Sequence, residues 1–138
     1  MLFFWVWQEF KTKYMESKFT DVDITLKARG DEFAFVKIFY SSEKNHCTLK
    51  LQKVLFGDFQ VYDLPVESFF ELVKFMDNCL IPLPESTVAK AGTQNSLEIQ
   101  SGENAMSLHW RSETPGEKWK DVYALKEKLL ELRNKYLV

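Results

Sequence analysis

From Val22 the chain alternates: Val22, Ile24, Leu26 and Ala28 are apolar, and Asp23, Thr25, Lys27 and Arg29 between them are not. Alternation of that kind marks a strand with one buried and one wet face. Gly30-Asp31 supplies a turn, and Phe33 to Tyr40 forms a second strand. Here Ala34, Val36, Ile38 and Tyr40 share one face, while Phe33, Phe35 and Phe39 crowd the other. A strand apolar on both sides is either central or covered by something extra, and the aromatic N-terminus is a candidate cover. Beyond the polar stretch Ser41 to His46, Cys47, Leu49 and Leu51 alternate with Thr48, Lys50 and Gln52. Gly57-Asp58, placed before Phe59-Gln60-Val61-Tyr62, then signals a hairpin. The four runs together predict an antiparallel meander.

At Asp63-Leu64-Pro65 the period changes. Proline suits a first helical turn, where its missing N–H would be unpaired anyway. Val66, Phe69, Val73, Met76 and Leu80 follow at helical spacing, with Phe70 widening the stripe and Glu67, Glu71, Lys74 and Asn78 opposite. Ile81-Pro82-Leu83-Pro84 ends that helix. The stretch from Pro82 to Asn95 has no pattern, and a loop of such length in a domain is usually functional or disordered. A second hairpin follows, with Leu97 and Ile99 in one strand, Met106, Leu108 and Trp110 in the other, and a turn at Ser101 to Asn104. Thr114-Pro115-Gly116-Glu117 fits a capping box, opening a helix to Val138 with the stripe Val122, Leu125, Leu129, Leu132 and Tyr136. Trp119, Tyr123 and Leu130 flank that stripe, which suits docking on a sheet better than a coiled coil.

The pattern predicts an α+β fold of two layers. An antiparallel sheet, a meander of about four strands plus a hairpin, carries two amphipathic helices on one face, in the order β-β-β-β-α-β-β-α. Phe3, Trp7, Phe10 and Tyr14 recur at helical spacing, so an extra N-terminal helix is added to the expectation. With 138 residues the chain reads as a single domain, 1–138, with its core in 19–138. Residues 1–14 could be an extension from an upstream start codon, because Met15-Glu16-Ser17-Lys18 is itself an ordinary beginning.

Composition changes this picture in two respects. Aromatic residues make up 15% of the chain, including 12 Phe and 4 Trp, an excess that implies a bulky core, a binding surface or both. Charge is unevenly spread: from Asp58 to Glu85 six acidic residues face Lys74 alone, whereas the segment from Pro115 onward is mildly basic. Two helix faces packing side by side explain this most simply, and an acidic docking patch is the alternative. A net charge of −2 gives no basic field for phosphate backbones, so nucleic-acid binding is not expected. Neither is membrane association. The run Leu2 to Trp7 falls far short of the ~20 apolar residues a span requires. The terminal segment also lacks the basic face of a surface anchor. Cys47 and Cys79, both in apolar surroundings, read as free buried thiols in a cytoplasmic protein.

Candidate chemistry is sparse. The five glycines form no phosphate-binding loop, and His46-Cys47, adjacent in a strand, point to opposite faces, so they cannot easily share a metal. Ser107, His109 and Arg111 make a polar row of the kind any half-exposed strand carries. Glu67 and Glu71 are one turn apart, as paired carboxylates would be, but read as a solvated face. No cofactor, metal or catalysis is expected. The leading expectation is a small protein-binding module of inhibitor, immunity or adaptor type. Its contacts are expected at Phe3, Trp5, Trp7 and Phe10, at Glu67, Glu71 and Asp77, and in the loop from Pro84 to Asn95. Alternatives are a homo-oligomeric structural protein and an apolar-ligand binder, its cavity between sheet and helices lined by Phe33, Phe35, Phe39, Phe69 and Phe70.

Overall fold

Strand β1 (Val22–Arg29) runs through the middle of the molecule, paired on one side with β2 (Ala34–Ser41) and on the other with β5 (Gln94–Ser101). The computed structural model describes residues 21–82, 92–111 and 116–137. With β3 (His46–Gln52), β4 (Phe59–Leu64) and β6 (Asn104–Arg111), these strands form one six-stranded antiparallel sheet in the order β4-β3-β2-β1-β5-β6. The meander is continuous, and the second hairpin extends the same sheet by adding to the free edge of β1. Two α-helices complete the described fold, α1 (Val66–Met76) and α2 (Lys120–Tyr136), the latter preceded by a 3₁₀ turn at Glu117–Trp119.

The register puts each strand's apolar set on the same side. Leu26 stands opposite Val36 and Leu97, which face Leu51 and Leu108 in the next strands out. Ile24 likewise lies between Ile38 and Ile99, and Leu49 continues that row. All of these but Ile99, which is partly buried, are fully or nearly fully buried beneath the helices. Helix α1 contributes Phe69, Phe70, Leu72 and Val73, and Tyr40 stacks almost parallel on Phe69 at 4.7 Å between ring centroids. Helix α2 contributes Val122, Leu125 and Leu129. Its aromatic flanks reach the sheet margins, with Trp119 and Tyr123 against Trp110 and Tyr136 against Tyr62.

Several expectations are corrected. Helix α1 stops at Met76: Asn78 and Cys79 donate to Phe75 and Met76 in tighter three-residue turns, and the Asn78 side chain caps the Lys74 carbonyl. Leu80 is therefore not in the stripe and is 73% exposed, its backbone N–H tied to the Asp121 carboxylate at 2.8 Å. The β3–β4 turn closes earlier than Gly57-Asp58, through a hydrogen bond from Gly57 N–H to the Val54 carbonyl. Helix α2 is entered from Gly116 through the 3₁₀ turn without a side-chain cap, and Glu117 instead lies 3.6 Å from Lys120. Met106 is exposed near the outer end of β6, although its neighbours Leu108 and Trp110 are buried. The expected N-terminal helix, most of the 82–95 loop and Thr114 of the capping box lie outside the described residues.

One buried residue of α2 is charged. Lys126 sits among Val122, Leu125 and Leu129, and its Nζ reaches out between β1 and β2 to Glu32 at 2.6 Å. The pair, together with Arg133 donating to the Phe33 carbonyl at 3.2 Å, fastens α2 to the β1–β2 turn. Burial decides what each leucine contributes. Leu129→Ala is expected to lower unfolding free energy by about 2–5 kcal/mol in chemical denaturation. Leu80→Ala is expected to change it by no more than about 0.5 kcal/mol.

Candidate functional site: the open face of the sheet

Both helices pack on one side, so the opposite face of the sheet has no covering element among the described residues. Strand alternation sends Phe33, Phe35 and Phe39 to that side, along with Lys27, Lys37, Lys50, Phe59 and Val61. Phe69 and Phe70 are on the helical side, so the five phenylalanines expected around one internal cavity are divided between two faces of the sheet. The physical reason is the period of two: odd-numbered residues of β2 cannot reach the layer that Val36, Ile38 and Tyr40 occupy.

The open face has an apolar end and a polar end. At the apolar end Phe35 meets Phe59 edge-on at 5.2 Å, and the Lys50 ammonium lies 4.4 Å above the Phe59 ring. Beside them the β3–β4 loop presents Val54, Leu55 and Phe56 to solvent, Phe56 being 89% exposed. Loop, strand and turn border an open depression of about 440 Å³ floored by Phe33, Phe35 and Phe59. At the polar end Asp23 holds Lys37 at 3.3 Å, and Thr25, Glu98, Gln100 and Ser107 line a shallow hollow.

Phe56 is held in an unusual backbone conformation. Its φ is +64°, in the left-handed region, at the third position of the turn from Val54 to Gly57. Turns with that sense ordinarily carry Gly or Asn there, because a Cβ crowds the following carbonyl. The glycine comes one position later for a separate reason: a Cβ on Gly57 would stand 2.8 Å from Val54 Cγ2 and 3.0 Å from its carbonyl oxygen. Gln52 Nε2 donates to the Gly57 carbonyl at 2.8 Å and braces the loop from inside the sheet. The turn thus projects a large aromatic side chain into solvent at a cost in backbone energy.

The residues singled out by sequence fall in separate places. Glu67 and Glu71 are exposed on α1 and Asp77 is exposed at its C-terminal end, on the helical side of the sheet and not on the open face. Glu71 shares a groove between α1 and α2 with Lys128, Glu131 and Lys135, where both charge signs meet. Phe3, Trp5, Trp7 and Phe10 lie outside the described residues. His46 is exposed and 3.1 Å from Asp63, while Cys47 beside it is buried under the helices. Ser107 and His109 do approach to 3.0 Å, but both are exposed, and no carboxylate orients the imidazole among the described residues. No cluster of three or more His, Cys, Asp or Glu suited to a metal occurs among the described residues. No described helix is long and apolar enough to cross a membrane. In the sequence the signal for this loop is Val54-Leu55-Phe56, three consecutive apolar residues before a glycine turn, which the strand and helix periods do not single out.

The sequence matches no protein-family model and no curated protein.

Two measurements follow. Phe56→Asn relieves the left-handed strain without disturbing the core, and is expected to raise stability by about 0.5–1 kcal/mol in urea unfolding. Burial pushes the Cys47 thiol up to about 12. A group bound to its proton more tightly in the folded state favours folding below its unfolded pKa and loses that contribution as pH rises. The loss begins near the ordinary thiol value of about 8.5 and grows by up to about 1.4 kcal/mol per pH unit. Cys47→Ala is expected to flatten the fall of stability above that pH, read by denaturation at a series of alkaline pH values.

Proposed function

We propose that the protein is a small cytoplasmic binding module that engages another protein through the open face of its sheet and does no chemistry of its own. The observation that carries this reading is Phe56, an exposed aromatic kept in a left-handed conformation beside an apolar depression. Strained backbone persists only where surrounding structure over-determines it, and it clusters at ligand clamps and active sites. Binding energy at interfaces concentrates in a few large anchors surrounded by contacts that exclude water. Phe56 and Phe59, with Leu55 and Val54 around them, supply such a cluster. A contiguous exposed apolar patch is costly in a monomer and marks contact sites.

Two further observations support the reading. Phe35 and Phe59 stand on paired strands, so the backbone of the depression's floor is held in place before any partner arrives, which lowers the entropic cost of association. The thiols are poorly suited to chemistry, since Cys47 is fully buried and burial also raises Cys79. Free cysteines of this kind fit a reducing compartment.

The decisive experiment compares three tagged proteins in affinity capture from the source cells: the native chain, Phe56→Ser/Phe59→Ser, and Glu67→Lys/Glu71→Lys. A defined protein recovered by the native chain and by the α1 variant, but lost from the open-face variant, is the expected result. Loss from the α1 variant alone would move the contact to the acidic helix. Equal recovery by all three proteins would end the proposal.

A further inference from the structure

The depression beside Phe56 is apolar in its floor and cationic at its rim. Phe33, Phe35 and Phe59 form the floor, Lys27 and Arg29 of β1 stand along one side, and no carboxylate is among its lining residues. Neither Lys27 nor Arg29 has a carboxylate partner among the described residues. Lys50 and Lys37 stand directly opposite each other in β3 and β2, an arrangement that repels. Asp23 relieves Lys37, but Lys50 meets only the Phe59 ring among the described residues. Positive charge thus accumulates at one end of the open face of a chain whose net charge is −2.

Resting on the binding role just proposed, we infer that the partner presents an acidic polypeptide segment here, an aromatic or branched aliphatic side chain flanked by carboxylates. The apolar side chain enters the depression against Phe35 and Phe59, and the carboxylates meet Lys27, Arg29 and Lys50. Buried or partly buried charge pairs of this kind contribute to specificity and to the rate of encounter.

Charge and shape weigh against the other occupants. A second copy docking this patch on its own counterpart across a two-fold axis would bring two cationic rims together, so self-association through this patch is disfavoured. A small apolar molecule gains most where it is enclosed, and this depression lies open on a sheet with no element roofing it among the described residues. Single-stranded nucleic acid shares the aromatic and cationic preferences, but its backbone tracks a continuous positive groove. Here the cations of the open face are interspersed with carboxylates: Asp23 holds Lys37, Asp63 holds His46, and Glu98 stands between Thr25 and Ser107.

The test is selection of a random displayed peptide library on the immobilised full-length protein, followed by titration of a synthetic copy of the best peptide. The expected pool carries Asp or Glu on both sides of a Phe, Trp, Leu or Ile. The synthetic peptide is expected to lose at least about tenfold in affinity to Lys27→Glu/Arg29→Glu, and to weaken as salt is raised. Phe56→Ser/Phe59→Ser is expected to abolish its binding, with circular dichroism unchanged in both variants. A pool that binds through Phe56 and Phe59 but is neutral or basic overturns the acidic partner while leaving the binding role standing. A library that enriches nothing on this face removes both. Two control probes complete the set: a fluorescent oligothymidylate that binds and is released by Lys27→Glu/Arg29→Glu, or a dimer in light scattering that dissociates in Phe56→Ser/Phe59→Ser, would each overturn the inference.

Discussion

The row Leu51–Val36–Leu26–Leu97–Leu108 crosses five strands of the sheet, each residue directly opposite the next. It is the register of this row that the remaining structure depends on. A slip of one residue in β1 would bring Thr25 or Lys27 under the helices and turn Leu26 out to solvent. Because β1 pairs on both sides, such a slip would have to break two ladders at once. The two helices then need only a flat apolar surface of the right width, and Tyr40, stacked on Phe69, positions α1 on it. Helix α2 is positioned by polar means as well, since Lys126 and Arg133 both bond to the β1–β2 turn.

The same register creates the open face, because what the helices bury on one side the strands must expose on the other. Most of that second face is what an exposed sheet ordinarily carries: Thr25, Lys37, Thr48, Glu98 and Ser107. Apolar area is densest at one corner, where Phe33, Phe35 and Phe59 adjoin the apolar loop tip, while Phe39 and Val61 are exposed elsewhere on the face. Apolar area scattered over a surface requires no explanation, whereas apolar area gathered beside unpaired cations does. The binding role proposed for this sheet is accordingly local to that corner.

Much of the fold was legible in the sequence because it rests on period. Alternation in 22–29, 34–41 and 46–52 located three strands closely, and the doubly apolar β2 was read as a strand with two demanding faces. What lies on its second face could not be read, since alternation says which residues share a side but not what meets them. Leu80 was misplaced because helical spacing continues past Met76 on paper, while the chain turns there through local hydrogen bonds. Lys126 was unreadable as a core residue: a lysine buries its stem only when a partner such as Glu32, distant in sequence, receives its charge. The strain at Phe56 is not legible in the sequence for a related reason, since it is a property of φ and not of composition. The acidic residues of α1 were easily seen, yet they lie on the helical side of the sheet and not on the open face.

The pairing of β1 with β5 has a kinetic side. Val22 finds Ser101 and Arg29 finds Gln94, whereas β1 finds β2 across a short turn. Loop-closure entropy must be met before so distant a pairing returns any energy, and non-local contacts of this kind slow folding. The meander with α1 is thus the part that can organise early, its neighbours being close along the chain. During that interval the outer edge of β1 is an unpaired strand edge, open to other chains as well as to β5. The alternating charged residues Asp23, Lys27 and Arg29 sit along that edge, where charge discourages the wrong pairing until the hairpin arrives.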